Sequence, residues 1–299
     1  MMLRTIGGMV ALGFLFGCGD AKVKKLIRVD GSSTVYPITE AVAEEFKKET
    51  PNVEVTVGIA GTGGGFKKIA RGEIDIVDAS RPLKASEEKL AQEGGVELVS
   101  FTVALDGLAV VTNKENNFVD CLTVGELKKI WNTGSKVATW KDVRKEWPAI
   151  NLSLFGPGAD SGTFDYFTEA INGKEKASRT DFTASEDDNT LVQGVIGSKG
   201  GLGYFGYAYY AGNSEKLKLI GVDNGSGCVR PDFDTVETGI YKPLSRSLFI
   251  YVSKKALSRP EVGEFVRFYL ENAHKLSVDA GYMPLPAEVY AKELQKLTE

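Results

Sequence analysis

Four short stretches hold the residues best able to do chemistry: Gly31-Ser32-Ser33-Thr34, Gly61-Thr62-Gly63-Gly64-Gly65, Asp78-Ala79-Ser80-Arg81 and Asp160-Ser161-Gly162-Thr163. Three of them set small residues and hydroxyls just ahead of a helical pattern. A helix start leaves its first backbone N–H groups unpartnered, and glycine lets a ligand come close to the backbone. Such a turn seats an anion, and several aimed at one point would hold one together. A tight connection without a ligand is the alternative for any one turn taken alone. Arg81 adds a guanidinium that can fork onto two oxygens of a tetrahedral oxyanion, the alternative being a solvated or structurally paired arginine.

Other chemistries find less support. No His/Cys/Asp/Glu cluster has metal-site spacing, and no cofactor is expected. His274 is the only histidine and sits in a charged helical stretch, so a nucleophilic triad on Ser161 is hard to assemble. The stretch 61–68 lacks the Gly-Lys-Ser/Thr ending of a P-loop.

The elements that must position these residues alternate. A strand over 26–30 ends at Gly31, and a helix follows from Pro37 with Ile38, Val42 and Phe46 on one face. A strand over 53–59 runs into the glycine-rich turn and a helix over 66–71; a third strand over 74–77 runs into Ser80 and Arg81. This is the pattern of a parallel α/β sheet, whose ligands sit at the carboxyl ends of the strands. Strands are also expected over 98–103, 107–112, 152–155, 217–222 and 248–252. Thr123 and Glu126 form a capping box for a helix through Trp131, and further helices run from Gly162, Pro260 and Pro286. The charged stretch 132–148 reads as an amphipathic excursion, the aromatic window 200–210 as core or interdomain wall, and 241–246 as a return crossing.

With 299 residues the chain can fold as two domains, and 42% hydrophobic with 25% charged content fits a soluble globular protein. The net charge of -4 comes without a Lys/Arg stripe, so no nucleic-acid partner is expected and an anion site must be local. Arg4 precedes an apolar run over 6–16, shorter than the about 20 residues that span a bilayer but suited to a secretory signal over 1–17. Leu15-Phe16-Gly17-Cys18 resembles a bacterial lipobox, with Cys18 lipidated and 18–25 a lipidated tether, although Phe16 replaces the usual small or aliphatic residue. Secretion without lipid is the alternative. In that oxidising compartment Cys121 and Cys228 favour a disulfide over two separate thiols.

The motifs Gly31-Ser32-Ser33-Thr34-Val35-Tyr36-Pro37, Gly61-Thr62-Gly63-Gly64-Gly65-Phe66-Lys67-Lys68, Asp75-Ile76-Val77-Asp78-Ala79-Ser80-Arg81-Pro82 and Asp160-Ser161-Gly162-Thr163-Phe164 stand in the order found in the phosphate-binding proteins of bacterial phosphate-specific ABC transporters. The chain resembles that family over nearly its whole mature length, including Leu202-Gly203-Tyr204 and Pro243-Leu244-Ser245-Arg246. The resemblance implies a two-lobed periplasmic-binding-protein fold of type II with two interlobe crossings. Lobe 1 would comprise 26–103 plus 246–299 and lobe 2 104–245, with hinges near 101–106 and 241–246. It implies no catalysis, inorganic phosphate as cargo, an ABC permease as partner, and an exported monomer in the periplasm or on the outer face of the cytoplasmic membrane.

The ligand set so implied, joined to the strand-end residues, is Ser33, Thr34, Val35, Thr62, Gly63, Ser80 and Arg81 from one lobe and Asp160, Ser161, Gly162 and Thr163 from the other. The chain departs from the best-known form of the family twice: Arg81 stands where a ligand aspartate is usual, and Pro157 where an arginine is usual. Arg81 would then supply the positive charge, and Asp78 or Asp160 would accept the phosphate proton. A carboxylate that only accepts favours hydrogen phosphate over sulfate. The alternatives are an exported serine hydrolase or phosphatase using Ser161, or the same fold carrying sulfate or molybdate.

Overall fold

A computed structural model describes residues 25–297. The expected signal over 1–17 and Cys18 lie outside the described residues. In the first lobe β1 (Lys25–Gly31), β2 (Val53–Ile59) and β3 (Ile76–Ala79) run parallel in the order β2-β1-β3. They alternate with α1 (Tyr36–Glu49), α2 (Thr62–Ala70) and α3 (Ala85–Glu93). β4 (Leu98–Asn113) then leaves for the second lobe.

That lobe holds β5 (Cys121–Thr123), α4 (Val124–Trp131), α5 (Trp140–Val143), β6 (Ser153–Pro157), α6 (Gly162–Phe167), β7 (Thr183–Ser185), α7 (Asp188–Gly197), β8 (Gly201–Gly206), α8 (Tyr207–Ala211), β9 (Leu217–Asp223), β10 (Cys228–Val229) and α9 (Phe233–Glu237). The chain returns through β11 (Ser245–Ser253) and ends with α10 (Lys254–Leu257), α11 (Pro260–Asp279) and α12 (Ala287–Gln295) on the first lobe.

The two strands expected over 98–103 and 107–112 are one 16-residue strand. Its first part pairs antiparallel with β11 as far as Ser245 opposite Gly107; from Leu108 it pairs antiparallel with β8 and β9. One crossing between lobes is thus a continuous strand. Gly107 marks a close approach rather than a turn, because a Cβ there would lie 2.7 Å from the Val236 side chain. The return crossing is tied to it by Leu108 N–H donating to Leu244 O at 2.8 Å and Tyr241 hydroxyl donating to Leu108 O at 2.6 Å.

Each lobe has its own core. In the first, α1 packs on α11, with Phe46 and Phe265 edge to face at 5.3 Å between centroids. In the second, Tyr204 stacks on Phe167 at 3.7 Å and meets Trp131 edge-on at 4.9 Å. Trp140 and Trp147 bury in this core, so 132–148 is partly core rather than an excursion. Cys121 and Cys228 form a disulfide that fastens β5 and β10, both paired to β9. Among the described residues no helix is long and apolar enough to cross a membrane.

The loop after β1 is built around Gly31. Its φ is 145°, and an added Cβ would lie 2.2 Å from Asp78 O, the oxygen that accepts Ser32 N–H at 2.9 Å. The Asp78 side chain turns into the first-lobe core, where Oδ1 accepts the Thr39 hydroxyl at 2.9 Å and Oδ2 has no partner. Burial pushes this carboxyl up to about 8, opposed by Thr39 and reinforced by Asp30.

Two outcomes are expected. Gly31→Ala lowers the unfolding free energy by about 2 kcal/mol or more, measured by urea denaturation. Asp78 keeps in the fold a proton that the unfolded chain releases above its ordinary value of 3.8, so its contribution is full below that value and is lost as pH rises towards about 8. Asp78→Asn is therefore expected to gain stability relative to the unaltered chain as pH goes from 5 to 8, read from melting temperatures.

Candidate functional site

The hydroxyl-rich turns converge where the lobes meet. The loop that carries Ser33 and Thr34 from β1 into α1 meets the start of α6, which Ser161 caps by accepting Thr163 N–H at 3.1 Å. Thr34 Oγ1 and Thr163 Oγ1 lie 3.1 Å apart across the cleft, both buried. Alongside them Thr62 Oγ1 and Ser80 Oγ are 3.3 Å apart. A Cβ on Gly162 would lie 2.6 Å from each of those oxygens, so only glycine lets the start of α6 seat against the first lobe.

The guanidinium at this centre is that of Arg246, not Arg81. Arg246 Nη2 donates to Thr163 Oγ1 at 2.8 Å, to Thr34 Oγ1 at 3.3 Å and to Asp106 Oδ2 at 2.9 Å, and Nε also reaches Asp106 Oδ2 at 3.1 Å. Its Nη1 is buried without a hydrogen-bond partner. Asp106 is fully buried, and burial raises its carboxyl while Arg246 opposes the rise. Close by, Asp188 opens α7 with both carboxylate oxygens buried and unpartnered. Burial pushes it up to about 7, against the pull of Arg246 and of the nearby Ser33 hydroxyl, which falls outside hydrogen-bonding geometry. The Tyr209 hydroxyl closes this side by donating to Ser33 O at 2.7 Å.

The remaining expected residues have other partners. Arg81 donates from Nε to Asp165 at 2.8 Å and forks onto Glu87 at 2.8 and 2.7 Å, with Pro82 O at 3.0 Å, so its guanidinium is not free to fork onto an anion. The α2 start, expected as an anion seat, is filled by protein: Gly63 N–H donates to Asp160 O at 2.8 Å. The Asp160 carboxylate takes Lys67 Nζ at 2.7 Å. Val35 N–H donates to Ser32 O at 3.2 Å. Asp78 faces the core with one oxygen bonded and Lys67 holds both Asp160 oxygens, so of the three carboxylates only Asp188 leaves both oxygens unpartnered.

Sequence reasoning missed Arg246, Asp106 and Asp188. Arg246 lay within a motif taken only as a crossing, and Asp187-Asp188-Asn189 carried a helix-start signal at Asp187, which accepts Asn189 N–H at 2.9 Å. The arrangement offers donors from both lobes, one cation and one open carboxylate to a small anion. His274 lies on α11 in the first lobe, and no described group of His, Cys, Asp and Glu could hold a metal ion.

Comparison with known proteins agrees with this geometry. Residues 19–273 match a family described as a PBP superfamily domain. The protein SphX of Synechococcus elongatus is 48% identical over 286 residues, covering 94% of this chain and 84% of that one. The phosphate-binding protein PstS of Staphylococcus saprophyticus is 39% identical over 302 residues, covering 99% and 92%. The crystal structure of an ABC-type phosphate transport receptor from Vibrio cholerae superimposes with a TM-score of 0.65 at 25% identity, covering 87% and 100%. With two lobes joined by two crossings and relatives matched over almost their full length, the chain belongs to the PBP superfamily, in the family of phosphate-binding proteins of bacterial ABC transporters.

Proposed function

We propose that the chain captures inorganic phosphate between its lobes outside the cytoplasmic membrane and delivers it to an ABC permease. It works as an exported monomer held to the membrane through lipid on Cys18, in keeping with the apolar run and cysteine at its start. The single observation that carries the cargo assignment is the pairing of opposite vacancies at one buried point. Arg246 Nη1 lacks an acceptor and Asp188 lacks a donor, between hydroxyls from both lobes. Hydrogen phosphate has oxygens for the first and a proton for the second.

In this reading Thr34, Thr163 and Arg246 bind phosphate oxygens, with Ser33, Thr62, Ser80, Ser161 and the start of α6 at Gly162 completing the shell. Asp106 fixes the Arg246 plane. An ionised Asp188 accepts the phosphate proton and repels sulfate, which has none to give. Charge-assisted bonds in a water-excluded cleft supply affinity, and bending of β4 and of the 241–246 crossing opens it.

Calorimetric titration at pH 8 is expected to show tight phosphate binding that excess sulfate or molybdate does not displace; displacement by either would overturn the assignment. Arg246→Ala is expected to weaken phosphate at least about tenfold. Asp188→Asn is expected to weaken phosphate by a similar factor and to narrow its preference over sulfate, because an amide can donate to a sulfate oxygen.

A further inference from the structure

Charged groups outside the ligand centre also join the lobes, and two of them, Arg81 and Asp160, are residues that the motif reading had assigned to the anion. On the first lobe, the turn after β3 presents Arg81 and Lys84. On the second, α6 presents Asp165, which is buried. Arg81 Nε and Lys84 Nζ both donate to Asp165 Oδ2, at 2.8 and 2.7 Å, and Lys84 also pairs with Glu175 at 2.7 Å. Lys176 stands 3.9 Å from Oδ1, which has no hydrogen bond of its own. At the glycine-rich turn, Lys67 holds the Asp160 carboxylate and Gly63 N–H holds its carbonyl. Glu186 sits over the same turn, since a Cβ on Gly61 would lie 2.6 Å from Glu186 Oε2.

We infer that these contacts form an electrostatic latch that sets how far the lobes stay closed, separate from the groups that touch the cargo. Asp165, Lys84 and Arg81 are positioning residues in this scheme. The first-lobe half is assembled before closure: the fork from Arg81 to Glu87 and the bond to Pro82 O lie within one lobe and survive opening. Closing then adds one carboxylate to a guanidinium already held and brings Lys84, whose ammonium pairs with Asp165 and Glu175 of the second lobe, onto the same oxygen. Buried ion pairs often gain nothing over an apolar contact, because desolvation offsets attraction. Two cations on one carboxylate tilt that balance towards closure. Acidic Asp160 and Glu186 at the positive end of α2 act in the same direction. Apparent affinity follows the fraction of protein in the binding-competent closed form, so the latch governs affinity without touching phosphate.

The effect on cargo rests on the proposed phosphate function; the effect on opening does not. Gly63 N–H is bonded only across the cleft, so its hydrogen exchange in ligand-free protein reads opening. Asp165→Asn and Lys84→Met are each expected to speed that exchange about tenfold and to raise the dissociation rate of inorganic phosphate by a similar factor, with the association rate little changed. The ratio of phosphate to arsenate affinity is expected to stay that of the unaltered chain. Unchanged Gly63 exchange in the variants overturns the latch, and so does a changed phosphate-to-arsenate ratio, which would put these residues on the ligand. If Asp165→Asn fails to fold by circular dichroism, Lys84→Met, at a partly exposed site, decides the matter. If the unaltered chain binds no phosphate, the proposed function falls while the exchange measurement still judges the latch.

Discussion

The ion pair between Asp106 and Arg246 is the constraint on which the other features depend. The two residues are 140 apart in sequence but directly opposite in the antiparallel pairing of β4 and β11, the strands that carry the chain between lobes. Both side chains are almost wholly buried. Removing one partner of such a pair leaves a charge without compensation, at a cost of about 3–5 kcal/mol. The pair therefore fixes three things together: the register of the crossing strands, the plane of the guanidinium and the point where Thr34 and Thr163 meet.

Around that pair the cleft gathers hydroxyls from both lobes. The Thr34 and Thr163 hydroxyls bond across the lobes, those of Thr62 and Ser80 bond within the first lobe, and the groups left over are a guanidinium nitrogen and a carboxylate. Unsatisfied buried polar groups cost free energy, so a ligand that supplies one acceptor and one donor gains more here than it would at an exposed surface. The interlobe ion pairs at Asp165 and Asp160 lie beside this centre. In the proposed scheme these ion pairs bias closure, while Arg246 and Asp188 recognise the ligand.

Much of the first lobe was legible because its order is local. Strand, turn and helix repeat within about 50 residues, and hydrophobic periodicity records that directly. The hydroxyl turns were legible for the same reason, and Thr34, Thr62, Ser80, Ser161, Gly162 and Thr163 do meet at the lobe junction. Arg246 was not, because its role depends on antiparallel register with a strand 140 positions away, which no local pattern encodes. Arg81 stood beside the right motif and looked the better guanidinium. Its neighbours Glu87 and Asp165, one in the first turn of α3 and the other in the opposite lobe, occupy it. The α2 start likewise has unpaired N–H groups, as its glycines imply, but the second lobe's Asp160 carbonyl fills the seat. The gap expected between 103 and 107 is absent because β4 runs on unbroken through Gly107, where the chain packs closely on Val236.

The central claim is that both lobes clamp one tetrahedral anion on Arg246 and Asp188. A crystal structure of the chain grown with inorganic phosphate tests it most directly. The expected result is a phosphate oxygen about 3 Å from Arg246 Nη1 and another at hydrogen-bond distance from Asp188, beside the Thr34 and Thr163 hydroxyls. A phosphate seated instead on the Gly61 to Gly65 turn with Arg81 swung onto it, or one lying outside the lobe junction, would contradict it.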